Sequence, residues 1–344
     1  MKAIVIREAG GPERLELADW PSPQPGAGQV LVRVAACGVC YRDLLDREGK
    51  YPFMKRPVVT GHEWAGEIVA IGAGVRQFAA GDRVATTHRP ACGECAPCRA
   101  GDETHCQTAM ASYGLTVDGG YAEEVLAWES SLVRVPDAVP LDGAAFLHCT
   151  AAVALRALRH HARLAAGQTV VMTGATGGVG VHALQVAKLL GARVVAVTSS
   201  AAKVEALRAL GADDVLVAPD GNFHKEALAR TGGADVALEL VGGPTFNSSL
   251  RSLRLGGRLA LVGNVTASSL EVNPGYLIVR EIAVCGSSSA TRAELSEVLA
   301  WAAAGKLRPI IADRLPLSAA RDAQARLAQK GVVGRIVLVP GQPS

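Results

Sequence analysis

Apolar positions in the first third of the chain come in short pieces with a period of two. Residues 30–35 (VLVRVA) alternate in and out, and residues 66–70 (GEIVA) read as a second strand closed by the turn Gly72-Ala73-Gly74. Gly81-Asp82-Arg83-Val84 opens a further strand. Short alternating strands separated by glycine turns predict an irregular, Greek-key-type β domain. The texture changes near residue 150. Residues 169–173 (TVVMT) form a continuous apolar run, followed by a glycine-rich loop and a helical pattern over 179–190 that stops at Gly191. A strand at 193–198 (RVVAVT), a helix at 201–210 and strands at 214–218, 235–240, 257–262 and 282–285 continue the pattern. Strands alternating with helices predict a doubly wound parallel sheet. A helix at 293–304 and a closing strand at 334–339 are expected to return to the first domain.

Composition narrows the possibilities. With 344 residues, 49% of them apolar, the chain can bury cores for two domains. The 35 basic and 32 acidic side chains leave a net charge of only +3, with no basic run, so nucleic acid is not an expected partner. Lys2, Arg7 and Glu8 interrupt the start where a signal peptide would be apolar. No uninterrupted apolar stretch approaches bilayer thickness, and the expectation is a cytoplasmic protein with no membrane partner.

Four of the 8 cysteines fall between 92 and 106. Cys92, Cys95, Cys98 and Cys106, spaced C-x2-C-x2-C-x7-C, can wrap a tetrahedral Zn²⁺ with no open position, which marks a structural site. A second set is dispersed: Cys40, the Gly61-His62-Glu63 segment and Cys149. Two thiolates and an imidazole suffice for a catalytic zinc with an open fourth position. Asp43 is the candidate partner that fixes the His62 tautomer, and Glu63 either joins the metal or stands behind it. Cys37 and Cys285 lack such company and are expected as small apolar core residues.

The loop Gly174-Ala175-Thr176-Gly177-Gly178-Val179-Gly180 lies between a strand and a helix, the setting in which glycines let the backbone approach a pyrophosphate at a helix N-terminus. About 20 residues further on, an NAD site places an acid on the ribose 2′-hydroxyl. Here stand Thr198, Ser199 and Ser200, then Lys203. Small hydroxyls and a cation suit a 2′-phosphate, so NADPH is preferred and NADH remains possible.

These motifs, with GVCYRD (38–43), LHCTA (147–151) and GRIVLV (334–339), resemble the zinc alcohol dehydrogenases of the medium-chain dehydrogenase/reductase superfamily over nearly the whole chain. The resemblance implies an α/β fold: a GroES-like irregular β catalytic domain at 1–150 and 287–344, carrying a zinc lobe at 88–112, and a Rossmann cofactor domain at 151–286. It implies one catalytic zinc held by Cys40, His62 and Cys149, one structural zinc in the lobe, and cofactor contacts from Val241, Gly263, Asn264 and Arg335, the last toward the pyrophosphate. It further implies a homodimer or homotetramer.

One departure matters. Alcohol dehydrogenases carry Ser or Thr two residues after the first zinc cysteine, and often His three further on, as a proton relay; here stand Arg42 and Leu45. A narrower resemblance runs through CYRDLL (40–45), YPFMKRPV (51–58), VGGPTF (241–246), VGNV (262–265) and GYLIVREIAVCGSSSAT (275–291), which look like the acryloyl-CoA and 3,3-dimethylacryloyl-CoA reductases. It implies NADPH-dependent reduction of the C=C bond of a short enoyl-CoA, with Tyr41, Arg42 and His88 as candidate catalytic residues. Two alternatives stand beside the last two: for Arg42 an ion pair with Asp43 or Asp46, and for His88 a polar wall residue. The alternative activity is that of a zinc alcohol dehydrogenase acting on an alcohol and its aldehyde or ketone.

Overall fold

The computed structural model describes residues 1–108, 111–329 and 331–341. The chain divides into two compact units, Met1–Cys149 with Ser289–Ser344, and Thr150–Ser288. The closing segment does return to the first unit. Of the zinc lobe expected at 88–112, residues 109 and 110 lie outside the described residues, as do 330 and 342–344 of the expected catalytic domain.

The first unit is built on two sheets. Lys2–Ile6 runs antiparallel between Glu16–Asp19 and Val58–Val59. The larger sheet orders Ile311–Pro316, Arg335–Val339, Gln29–Gly38, Glu63–Ile71, Arg83–Thr86 and Leu132–Arg134, with Glu124–Trp128 also paired to Gln29–Gly38. Alternation within Gln29–Gly38 sends Val30 and Val32 into a core that also contains the fully buried Trp64, Tyr113 and Tyr121. The register matters for the site. Gly38 lies opposite Glu63 while Leu338 pairs with Cys37, which brings three distant segments to one sheet end. A Cβ at Gly38 would sit 2.2 Å from Glu63 Oε2 and 3.0 Å from Phe146 Cβ, so a side chain there would displace that carboxylate.

The second unit carries a six-stranded, all-parallel sheet. Its strands are Thr169–Met172, Arg193–Thr198, Asp214–Val217, Ala234–Glu239, Leu253–Leu261 and Ala283–Gly286. Counted along the chain, their spatial order is 3-2-1-4-5-6, the dinucleotide-binding arrangement. The expected helix at 201–210 forms as a 3₁₀ turn, Ala201–Lys203, leading into Val204–Ala209. Cys285 departs from its expected core position: it is half buried on an edge strand, with its Sγ 3.3 Å from the Leu259 carbonyl. Cys37 is fully buried as expected.

A helical run, Leu141–His161, escaped the sequence reading. It contains π turns at His148–Ala152 and Ala157–His161, and the boundary between the units falls inside it. Length and composition would let it cross a bilayer, but 83% of its most apolar window is buried within the protein, as in a core helix.

Glu239, fully buried at the end of an apolar strand, accepts hydrogen bonds at Oε1 from Thr173 Oγ1 (2.7 Å), the Val241 and Gly242 amides (2.8 and 2.9 Å) and Thr245 Oγ1 (2.7 Å). Ser249 donates to Oε2. Glu239→Ala would strand all these donors. We expect a loss of about 3 kcal/mol or more in denaturant unfolding, with Glu239→Gln costing less because it keeps the volume and half of the acceptors. A loss below about 1 kcal/mol for the alanine variant would show that the carboxylate does not organise these loops.

Candidate active site

Two groups of ligating side chains come together among the described residues: Cys92, Cys95, Cys98 and Cys106, and Cys40, His62, Glu63 and Cys149. Within each, the ligand atoms lie within 4.8 Å of one another.

The lobe forms because Gly93, Pro97 and Gly101 let a short stretch curl around its sulfurs. Cys92 Sγ lies 3.9 Å from Cys98 Sγ. The Cys95 and Glu94 amides donate to Cys92 Sγ at 3.3 and 3.4 Å, and the Cys92 amide donates to Cys106 Sγ at 3.4 Å. Hydrogen bonds from Thr108 and these amides bring the Cys92 thiol down to about 6, while burial and neighbouring thiols push Cys98 up to about 12. Four tetrahedral zinc–sulfur bonds of about 2.3 Å would put sulfurs about 3.8 Å apart, so the lobe fits a closed structural zinc.

The second group is assembled by long-range packing. Cys40 caps the helix Tyr41–Arg47, His62 and Glu63 enter the strand Glu63–Ile71, and Cys149 lies in a π turn, a frequent feature of functional sites. His62 Nδ1 lies 2.8 Å from Asp43 Oδ1, the partner foreseen from sequence. With that nitrogen donating to the carboxylate, Nε2 is the one left to face Cys149 Sγ, at 3.6 Å, the spacing about expected for two ligands on one zinc. The Cys149 thiol hydrogen-bonds to Cys40. This contact holds Cys40 well below the usual thiol range and Cys149 well above it. Glu63 Oε1 stands 3.9 Å from His62 Nε2 and 3.0 Å from Arg335 Nη2, in an ion pair without hydrogen-bond alignment. Burial raises Glu63 to about 8 against the opposing pull of Arg335. Against burial, Asp43 and Cys40 raise His62 well above the usual imidazole range, so a cation at its Nε2 would displace a proton. Sulfurs sharing a proton, that exchangeable imidazole nitrogen and a buried carboxylate lacking hydrogen bonds together suit a bound Zn²⁺.

The three candidate catalytic residues fare differently. Arg42 Nε donates to both oxygens of the buried Asp46, at 2.8 and 2.7 Å, and its guanidinium lies 4.5 Å from the Tyr51 ring centre. Its charge is thus held by the ion pair weighed as the alternative. Tyr41 begins the same helix, half buried, its phenol raised by burial. His88 does join the metal group: its ring centre is 6.0 Å from that of His62. Its backbone is left-handed (φ 55°), held by its amide on Thr86 Oγ1 and by the Arg89 amide on the Thr87 carbonyl. Such strain in a non-glycine residue recurs at functional sites. Burial and the nearby His148 keep the His88 imidazole neutral.

His148 escaped the sequence reading, although it adjoins Cys149. Its ring lies 5.3 Å from His88, its Nε2 donates to the Ala290 carbonyl at 3.0 Å, and burial lowers it to about 4. Arg335, assigned to the cofactor by resemblance, lies behind the metal group, where it pairs with Glu63 and donates to the Val39 carbonyl at 3.2 Å.

In the second unit the glycine-rich loop follows the first strand of the sheet and leads into Gly180–Leu189. The Gly177 amide closes a turn on the Gly174 carbonyl at 2.9 Å, and Thr176 is buried within it between Gly174 and Gly178. A Cβ at Gly180 would meet the Gly174 carbonyl at 2.2 Å, so glycine is required for helix and loop to pack. Val179 is the N-cap residue of that helix. Ser199, exposed, comes directly after the strand Arg193–Thr198; Ser200 donates through its amide to Thr198 Oγ1, and Lys203 is half buried in the next turn. Val241 accepts from the Val265 amide at 3.0 Å, and Asn264 Nδ2 donates to the Ser268 carbonyl at 3.0 Å. With Gly263, whose amide reaches the Glu239 carbonyl, they sit at the C-terminal ends of strands, where this architecture binds ligands.

Known proteins resemble the chain over nearly its whole length. Residues 26–137 match the alcohol dehydrogenase GroES-like domain, and residues 178–304 match the zinc-binding dehydrogenase domain. The chain is 40% identical to the acryloyl-coenzyme A reductase of Metallosphaera sedula, covering 98% of this chain and 99% of that one. It is 34% identical to an alcohol dehydrogenase of Geobacillus stearothermophilus, over 98% and 99%. The crystal structure of AibC superposes with a TM-score of 0.93 at 43% identity, covering 99% of this chain and 96% of that one.

Metal analysis of well-loaded protein should find close to two zinc ions per chain, one leaving to chelators far more slowly than the other. Cys95→Ser should cost folding and solubility, because structural zinc binding is itself folding free energy. His62→Ala should keep the fold and release the faster zinc. A single zinc, held at the lobe, would refute the second metal site.

Proposed function

The chain belongs to the zinc-binding, alcohol dehydrogenase-like family of medium-chain, nicotinamide-dependent oxidoreductases, and on that premise we propose that it reduces the C=C bond of a short α,β-unsaturated acyl-CoA, with NADPH as the preferred reductant. The observation that carries this reading is the helix after the ligand Cys40. Where alcohol oxidation needs a relay to lead the hydroxyl proton away, Leu45 is buried and Arg42 is committed to Asp46. Neither can pass a proton. General acid–base assistance is typically worth about 10²–10⁴ in rate, so an alcohol substrate would lose that much here.

Enoyl reduction makes a different demand: charge develops at the thioester oxygen, and a proton reaches carbon late. When bound, the zinc and the nicotinamide supply the Lewis acid and the hydride. The chain's own part is to hold His62 in one tautomer through Asp43, and to keep the His88 and His148 imidazoles neutral beside it. His148 spends its single N–H on the Ala290 carbonyl, so His88 is the neutral imidazole left to donate one hydrogen bond to a developing oxyanion without competing for the metal's charge. The identity to the Metallosphaera sedula reductase supports this reading, and the identity to the Geobacillus dehydrogenase supports the second reading, alcohol dehydrogenation.

Two measurements decide. Following NADPH absorbance, acryloyl-CoA or 3,3-dimethylacryloyl-CoA should be reduced with a kcat/KM at least about 10²-fold above that for oxidation of any simple alcohol. Arg42→Thr combined with Leu45→His, which restores the relay pattern, should raise alcohol turnover without improving enoyl reduction. A wild-type kcat/KM for ordinary alcohols above that for every short enoyl-CoA would establish the dehydrogenase reading instead.

For the cofactor, Ser199 stands where an NAD site has its ribose acid. Ser199→Asp should weaken NADPH by like-charge repulsion and move preference toward NADH. Wild-type kcat/KM for NADH equal to or above that for NADPH would overturn the assignment.

A further inference from the structure

The helix Tyr41–Arg47 and the loop after it carry a layered group that the chemistry at the metal ligands does not use. The Arg42 guanidinium lies 4.5 Å from the Tyr51 ring centre. Tyr51 and Phe53 are nearly parallel, 13° apart, with ring centres separated by 6.5 Å. Phe53 is 59% exposed, whereas most large apolar side chains of this protein are covered. Arg42 meets Asp46 through Nε alone, so its two Nη nitrogens keep no protein acceptor among the described residues. Lys50 and Lys55 bracket the aromatic pair in the sequence, both exposed and without a carboxylate partner among the described residues.

An exposed aromatic ring on a segment that carries two lysines, beside a tyrosine that already holds a guanidinium, suits one kind of ligand, a planar base bearing phosphates. The base stacks on the ring, the phosphates meet the ammonium and guanidinium groups, and stacking tolerates any base. We propose that Phe53, Tyr51, Arg42, Lys50 and Lys55 form a shelf for the phosphorylated adenosine end of the acyl-CoA substrate. This rests on the enoyl-CoA reading, which provides a substrate carrying that group. It gives Arg42 a positioning role in place of one at the reacting atoms. NADPH also carries a phosphorylated adenosine, so the test has to separate the two sources.

Phe53→Ala removes an exposed ring and should fold normally. It should raise KM for the enoyl-CoA about tenfold, with kcat little changed, and Phe53→Trp should restore KM. The same variant should shift KM by less than about twofold for the pantetheine thioester of the same acid, which lacks the adenosine, and for NADPH. An unchanged KM for the enoyl-CoA, an equal rise for the pantetheine thioester, or a rise confined to NADPH overturns the shelf. If the wild-type protein reduces no enoyl-CoA, the functional reading has failed separately. The shelf is then judged by equilibrium dialysis of adenosine 3′,5′-bisphosphate with NADP⁺ saturating the dinucleotide site. Binding that weakens about tenfold in Phe53→Ala supports the shelf, and no binding, or binding unaffected by the variant, overturns it.

Discussion

The candidate metal centre depends on one buried carboxylate. Asp43, 2% exposed, takes His62 Nδ1 on one oxygen at 2.8 Å, and on the other the Cys40 amide at 3.0 Å and the Tyr121 hydroxyl at 3.1 Å. Those contacts tie together the start of a helix, the start of a strand and a core aromatic residue. They fix which imidazole nitrogen carries the hydrogen, and so which one is left for a metal. A carboxylate this deep is tolerable only with its acceptors filled. The same hydrogen bonds that make it tolerable also orient two of the ligands.

Behind that shell, Glu63 and Arg335 extend the charge network. Neither reaches water, and their ion pair leaves Glu63 facing His62 at a distance from which it could move toward a cation. The second unit solves the same problem differently. Glu239 surrounds itself with hydroxyl and amide donors at the strand ends where the dinucleotide is expected, so the loops that would meet a cofactor are organised from beneath by an anion. In both units a buried acid gathers the donors of neighbouring segments.

Close similarity to enzymes named for two different reactions shows how little of the scaffold need change between them. The two-domain scaffold belongs to the family, and the proposed difference lies on a single helix. Arg42 pairs with Asp46 and lies on Tyr51, and Leu45 turns inward, so the surface after Cys40 offers aromatic and cationic contact where a proton relay would run.

Much of this was legible in the chain. The lobe's four cysteines and the glycine-rich loop lie within 15 residues and 7 residues of sequence respectively, and their chemistry follows from spacing and local backbone geometry. The alternation of strands and helices likewise announced the parallel sheet. Residues such as His148 and Glu239 carried weaker signals, an imidazole beside a ligand cysteine and a charge closing an apolar strand. The long helix Leu141–His161 was hidden because its apolar residues surround it on nearly all sides, leaving no amphipathic period to read. Asp46, four residues on, was legible as a partner for Arg42, but the Tyr51 ring under its guanidinium and the Glu63 partner of Arg335 were not. An arginine can reach a cofactor, an acid or an aromatic ring equally well, and only the folded packing decided: one helical turn put Asp46 beside Arg42, and sheet register put Glu63 beside Arg335. Local sequence determined which groups could bind metal and dinucleotide, and it held the Arg42 pair within one helical turn; tertiary structure decided where Arg335 ended, because Glu63 lies 272 residues away and only the sheet register joins them.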